Sequence, residues 1–364
     1  MVKNAYIHIP FCRQKCHYCS FVSFVKSELK EQYINALVRE IKHFYNHERL
    51  DTLYFGGGTP SILTCEEFIR IINLFQITPA TEVTAEINPE NLSLKYLKNL
   101  KDTGINRLSI GCQTFDDKKL KFIGRRHASA DVEKALEFAF NAGFDNINLD
   151  FIYGLPDQSI NDFTKDIEKA VRSDVRHISL YGLKIDKNCY FYHYPPNNLP
   201  DDDLQADMYL KAIDILTDNH FKHYEISNFA KQEFYSQHNL NYWNNNTYYG
   251  FGIGAHGFTN GCRYENLTDF TKYFADPVKH KKIHKLNNTE KLEEEIFLGF
   301  RKISGINVEV INRKFNIDFE EKYKTILEKY LSTGHIKKTS GNYRLTTNGM
   351  LVSNTVLSDF LEVC

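Results

Sequence analysis

The chain has 364 residues, 42% hydrophobic and 14% aromatic, with 45 Lys and Arg set against 46 Asp and Glu for a formal net charge of −1. That length calls for one large domain and a smaller one rather than a single small core. The charge balance supplies no global attraction to nucleic acid or to an anionic membrane, so no nucleic-acid partner is expected.

The N-terminus, MVKNAYIHIPFC, lacks the basic start and apolar run of a secretory signal. No stretch approaches the ~18 apolar residues of an integral membrane span. A cytoplasmic protein is expected, one free to associate transiently with a membrane. In that compartment the eight cysteines do not read as four disulfides. Cys65, Cys112, Cys189, Cys262 and Cys364 are scattered and read as small buried side chains. Cys12, Cys16 and Cys19 crowd together and need a chemical reason.

In chain order, 5–9 (AYIHI) reads as a strand and 27–45 as an amphipathic helix with Leu29, Tyr33, Leu37, Ile41 and Phe44 on one face. A strand at 51–55, a helix opened by a Thr64–Glu67 capping box, a strand at 81–87 and a helix closed by Gly104 repeat the unit. Strands at 107–112, 146–152, 177–181 and 223–227 continue it. This rhythm predicts parallel strands with right-handed crossovers. Six or seven units predict an open, partial (β/α)6 barrel over 1–235, with its chemistry at the C-terminal ends of the strands.

Residues 236–258, rich in Asn, Tyr, Gly and His, read as irregular, and the basic run 279–285 (KHKKIHK) reads as a solvated linker. Together they make 236–285 an extension between domains. Over 286–364, a helical segment, two further helices, a hairpin at 335–346 turning at Ser340-Gly341-Asn342 and a last helix predict a small, mainly helical, winged-helix-like domain. Docking rather than DNA binding is expected of it.

The cysteine triplet is spaced C-x3-C-x2-C on the loop leaving the first strand. A [4Fe–4S] cubane takes four ligands, usually thiolates. Three from one loop leave one iron open to chelate an amine and a carboxylate. The alternative is a structural zinc with His8 or His17 as fourth ligand. Zinc loops usually pair C-x2-C knuckles from two segments, and no second knuckle occurs.

Gly56-Gly57-Gly58-Thr59-Pro60 lacks the spacing and lysine of a phosphate loop. It reads either as a tight turn or as backbone laid open to a ligand. Glu86, Gln113 and Asp150 fall at the ends of successive strands. Singly, such carboxylates are ordinary surface groups, but together they can hold ribose hydroxyls. Arg125, next to Arg126 and His127, can pair with a ligand carboxylate.

With these residues the chain resembles the radical S-adenosylmethionine superfamily. YIHIPFC, YFGGGTPS, RLSIGCQTF, GRRH, DFIYGLPDQ, YEISNFA and HNLNYW-x5-YGFGIGAH follow in the order of its coproporphyrinogen-oxidase-like group, over nearly the whole chain. The resemblance implies a cluster on Cys12, Cys16 and Cys19. It also implies S-adenosylmethionine against Tyr6, Tyr18, Gly57, Gly58, Thr59, Glu86, Gln113, Arg125 and Asp150. In that superfamily the reduced cluster breaks a carbon–sulfur bond to give a 5′-deoxyadenosyl radical, hard chemistry that the cofactor carries.

The group's oxygen-independent oxidase has a fourth cysteine, C-x3-C-x2-C-x-C, and a longer N-terminal segment. Here Phe21 holds the fourth position and eleven residues precede Cys12. At the positions matching the oxidase's second nucleotide, Lys184 and His256 differ in character from the group's pattern. The chain therefore looks like the HemW-type haem-chaperone branch. That implies haem as cargo, client haem proteins of the respiratory chain and no porphyrinogen oxidase activity, with cleavage of S-adenosylmethionine left open. From the residues themselves, His238 in HNLNYW is the candidate axial ligand, because imidazole is a usual haem ligand. Tyr242 or Trp243 could stack on the porphyrin, and His256 is the second histidine candidate. A decarboxylating porphyrinogen oxidase and a zinc-stabilised binding module are the alternatives.

Overall fold

A computed structural model of the chain describes residues 1–90 and 92–361. Strands β1 (Asn4–Ile9), β2 (Thr52–Gly57), β3 (Glu82–Ile87), β4 (Arg107–Gln113), β5 (Asn146–Tyr153) and β6 (His177–Gly182) pair in parallel, each with the next. Between them run α1 (Lys30–Phe44), α2 (Cys65–Ile72), α3 (Leu94–Asp102), α4 (Asp117–Phe122), α5 (Ser129–Asn141) and α6 (Ile160–Arg172). Local chemistry starts these helices. Thr64, Ser93, Asp116 and Ser159 each accept a backbone N–H of the first turn, and the Thr64–Glu67 box closes in both directions.

The period-two pattern divides the sheet. Ile7, Leu53, Phe55, Val83, Leu108, Ile110, Ile147, Leu149 and Ile178 are buried beneath the helices. Each such side chain contributes roughly 1.5–3 kcal/mol. The alternate positions, among them Tyr54, Glu86, Ser109, Asn148, Asp150 and Ser179, face the concave side and are joined there by hydrogen bonds. The apolar face holds the sheet to its helices, and the polar face is left for chemistry.

After α7 (Tyr190–His193) and α8 (Asp202–Asp218), the expected seventh parallel strand at 223–227 is corrected. β7 (Lys222–Glu225) turns into β8 (Asn228–Ala230), and it is β8 that pairs with β6, antiparallel. The Glu225 carboxylate closes the turn by accepting from Ser227 N at 2.9 Å and from the Asn228 side chain.

The stretch expected to be irregular is also ordered. α9 (Gln237–Trp243) is capped by Ser236 and held to β3 by Glu82, which accepts the N–H groups of Gln237 and His238 at 3.1 and 3.0 Å. β9 (Tyr249–Phe251) pairs with β1 in parallel at the far edge of the nine-stranded sheet. Gly250 is obligatory here, because a Cβ would lie 1.8 Å from the His256 carbonyl oxygen on the returning β10 (His256–Thr259). β11 (Cys262–Asn266), α10 (Phe270–Ala275) and β12 (His280–Lys285) follow, and β10, β11 and β12 form an antiparallel sheet. The basic run read as a linker is thus an edge strand. Exposed on both faces, it shows no apolar alternation, and it pairs its charges with Glu265 (2.6 Å) and Glu290 (2.7 Å).

The last segment comprises α11 (Asn288–Gly299), β13 (Ile306–Asn307), α12 (Val308–Phe315), α13 (Phe319–Lys322), α14 (Lys324–Ser332), β14 (Ile336–Thr339), β15 (Asn342–Leu345), α15 (Thr347–Leu351) and α16 (Ser353–Ser358). Four helices precede the hairpin where a helical segment and two further helices were expected, because Asn316 turns left-handed and Asp318 caps a new start. Two short helices, not one, follow it. Leu292, Ile296, Phe300, Phe319, Leu327 and Phe360 form a second core, into which Tyr209 of α8 inserts. Among the described residues no helix is long and apolar enough to cross a membrane. Cys112 and Cys189 are buried as expected, Cys65 and Cys262 only half so, and Cys364 lies outside the described residues.

Candidate functional site

The C-terminal ends of the parallel strands surround a cavity of about 500 Å3. Cys12, Cys16 and Cys19 line it from the loop after β1. Backbone bonds shape that loop: Cys12 N to Phe24 O (3.0 Å), Phe24 N to Pro10 O (2.8 Å), and His17 N to Ile123 O (3.0 Å). Thr59 Oγ1 donates to Cys12 Sγ at 3.6 Å and Arg125 Nη1 to Cys16 Sγ at 3.7 Å. Burial pushes the Cys12 thiol up, and burial with the neighbouring sulfurs pushes Cys19 up to about 11. Three thiolates on this loop therefore call for a cationic load to offset their charge.

Opposite the sulfurs, Gly57 has φ +111°, and a Cβ there would lie 2.5 Å from the His8 ring, so its backbone presses directly against the first strand. Its N–H donates to Glu86 Oε2 at 3.1 Å while Tyr54 Oη donates to Oε1 at 2.9 Å. Ser109 and Asn148 hold Asp150 at 3.0 and 2.8 Å. Burial, then the charge of Asp150, pushes Glu86 up to about 7, and burial raises Asp150 as well. Arg125 uses Nη2 on Asn88 Oδ1 and Gly111 O, both at 2.8 Å, but its buried Nε has no partner. An unpartnered buried guanidinium N–H beside a cavity is a donor waiting for an acceptor.

Of the residues expected around S-adenosylmethionine, Tyr18, Gly57, Gly58, Thr59, Glu86, Gln113, Arg125 and Asp150 line this one cavity. Tyr6 does not. Its hydroxyl bonds His8 Nδ1 at 3.0 Å, and its ring stacks on Tyr54 in the layer beneath. Tyr54, Asn88, Ser109, Tyr181 and Ser227 line the cavity too and were missed. Asn88 had a usable signal, two residues after Glu86, and Ser109 a weaker one, four residues before Gln113 and across the register shift at Gly111–Gln113. Ser227 had none, because it arrives through the β7–β8 turn.

Of the haem candidates, His238, Tyr242 and Trp243 lie together on one short helix, and His256 lies apart from them. His238, the candidate axial ligand, is a core residue. Thr52 Oγ1 donates its single proton to Asn4 Oδ1 (2.9 Å), so it accepts from His238 Nδ1 (2.7 Å). That leaves Nε2 to accept from Tyr242 Oη at 2.8 Å. Both nitrogens are used, the ring stacks on Tyr54 at 5.0 Å, and burial lowers the pKa to about 3. His256 is exposed at the start of β10. Tyr242 and Trp243 instead line a groove against α11, where the Arg301 guanidinium covers the Trp243 ring at 4.5 Å.

The donor set fits an iron–sulfur cluster with an amino-acid nucleotide beside it. Thiols receive hydrogen bonds, an arginine N–H stands ready for a carboxylate, and two carboxylates stand at strand ends. Residues 6–170 match the Radical SAM superfamily and 286–352 match the HemN C-terminal domain. Coproporphyrinogen III oxidase (HemN) from Escherichia coli, a radical SAM enzyme, superposes with a TM-score of 0.88 over 99% of this chain and 90% of that one; at 20% identity this shows a common fold. Fold and site together define a radical SAM protein with a HemN-type C-terminal domain.

The heme chaperone HemW of Lactococcus lactis is 37% identical over 98% of this chain and 97% of its own length. Those of Bacillus subtilis (36%, 99% of each chain) and Escherichia coli (31%, 98% of each) align equally fully. The chain belongs to the HemW family.

Proposed function

We propose that the protein binds haem and hands it to client haem proteins of the respiratory chain, working in the cytoplasm. Cys12, Cys16 and Cys19 hold a [4Fe–4S] cluster, and the adjoining cavity holds S-adenosylmethionine. The observation that carries the cofactor reading is the meeting, around one cavity, of three thiols, the unpartnered Arg125 Nε–H and the Glu86–Asp150 pair. When bound, these cofactors supply an electron and a cleavable carbon–sulfur bond.

The chain's own residues do the positioning. Arg125 orients a carboxylate, the Gly57–Gly58 backbone and Thr59 lie against the amino-acid end, and Asp150 and Glu86 accept from hydroxyls. Tyr54 and Tyr6 form an aromatic floor that keeps water out from below. The cargo reading rests on full-length kinship with proteins named heme chaperones. All seven described cysteines are free, in keeping with a reducing compartment. Phe21, 66% exposed, stands at the cavity mouth where a fourth cysteine would serve an oxidase.

The test is anaerobic incubation of cluster-loaded protein with S-adenosylmethionine, reductant and coproporphyrinogen III, beside a haem titration of the same preparation. The expected result is haem binding with no porphyrin product. Carbon dioxide release with protoporphyrinogen, or no haem binding at all, overturns the proposal.

A further inference from the structure

With His238 closed inside the fold, the cargo needs another place. The groove holding Tyr242 and Trp243 has about 670 Å3 of space, but it is edged by Glu290, Glu293 and Glu294. Of the two arginines at this groove, Arg263 is already bound to Glu294 at 2.8 Å and Arg301 is laid over the Trp243 ring. Haem carries two propionates, and this rim repels them.

A different surface has the opposite character. Tyr190, Tyr192 and Tyr194 are 50%, 46% and 64% exposed, and Phe122 is 49% exposed. Large aromatics left in water normally stand singly, so a group of them marks an interaction site. The group is continuous. Tyr190 and Tyr194 stack at 4.7 Å and 28°, His17 lies 4.7 Å from Tyr190, and Phe122 packs on Phe191 at 5.8 Å. It is also firmly based. Phe191 is buried, its N–H donates to His17 O at 2.9 Å, and His17 Nδ1 donates to Phe122 O at 2.8 Å. His193, exposed and three residues from Tyr190, shares the helical face of that ring. Lys121 beside Phe122 and Lys187 ahead of the segment are exposed cations.

Building on the haem-carrier reading, we propose that haem docks on this aromatic face. Tyr194 lies against the porphyrin with Tyr190 stacked behind it, His193 ligates the iron, and Lys121 and Lys187 meet the propionates. A flat apolar ring, an iron that takes imidazole and two carboxylates match the three chemistries the surface presents. The site adjoins the cluster loop, because His17 sits between Cys16 and Cys19.

Cluster-loaded protein is titrated with ferric haem, following the Soret difference band. Tyr190→Ala/Tyr194→Ala weakens binding by roughly tenfold or more, in line with the loss of two stacking rings. His193→Ala shifts the Soret band and removes the imidazole signature from the haem electron paramagnetic resonance spectrum. Tyr190→Phe/Tyr194→Phe keeps the affinity. Cluster iron content and affinity for S-adenosylmethionine stay unchanged throughout, because these side chains are outside the cavity. Wild-type affinity and spectrum in both alanine variants overturn this site while the carrier reading stands. Alanine variants that keep haem but lose a concentration-dependent self-association make the face a protein interface and also overturn it. Wild-type protein that binds no haem removes the carrier reading itself.

Discussion

The two ends of the barrel's concave face carry similar polar residues in different states. At the N-terminal end, Asn4, Thr52 and His238 form a hydrogen-bonded chain that Tyr242 completes, and Glu82 is occupied by the start of α9. At the C-terminal end, Arg125 keeps a buried N–H without a partner, and Glu86 and Asp150 stand beside a cavity that burial makes costly for their charges. Unpartnered atoms are not confined to the open end, since Arg107 Nε and Asn241 Nδ2 at the N-terminal end also lack partners; what marks a site is capacity that faces a cavity. His238 looks like a ligand in the sequence and belongs to the closed end. Asp150 looks like an ordinary carboxylate and belongs to the open one.

Substitutions separate the two ends. The largest effect is expected from Cys16→Ser at the open end, which removes the cluster, read as loss of bound iron and of the broad visible absorption. At the closed end, His238→Ala leaves a cavity and unpaired hydroxyls on Thr52 and Tyr242, costing about 3 kcal/mol of stability by denaturant unfolding. Its cluster content and S-adenosylmethionine affinity stay as in the wild type. A variant that is stable but binds S-adenosylmethionine poorly would show the closed end to be part of the site.

Asp150→Asn reverses that pattern. It weakens S-adenosylmethionine binding roughly tenfold, about 1.4 kcal/mol, in an equilibrium titration. Its Tm does not fall, because burial already opposes the charge being removed.

The two ends also differ in the sign of their pH dependence. Glu86 has a folded pKa of about 7 against an ordinary value of 4.5. Over that window the folded state holds the proton more tightly, so stability falls as pH rises. His238 has a folded pKa of about 3 against 6.5, so its stabilisation is lost as pH falls through that window. Glu86→Gln should flatten the first slope and His238→Gln the second in Tm measured against pH. A single slope shared by both variants would dissolve the distinction.

Legibility followed the range of the interactions involved. Most of the helices and parallel strands of the first 182 residues could be read in place, because caps, period-two alternation and helical faces are written within a few neighbouring residues. The extension could not. β9 is three residues long and is a strand only because β1 offers a free edge. β12 is charged along its length and is held by β11. The β7–β8 turn depends on Glu225 gripping residues two and three positions ahead, which a search for repeating units passes over.

The proposed cluster ligands stood out for a simple reason: Cys12, Cys16 and Cys19 are so close along the chain that any compact fold keeps them together. The sequence by itself therefore determined the strand–helix series and the thiol triplet that starts the chemistry. Tertiary structure alone decided which other polar groups face the cavity and which are closed into the core. Thr52 and His238 meet across 186 residues, and Cys16 and Arg125 across 109. Contacts at such separations are set by how the sheet curls and where the last strands dock, and no local pattern along the chain encodes them.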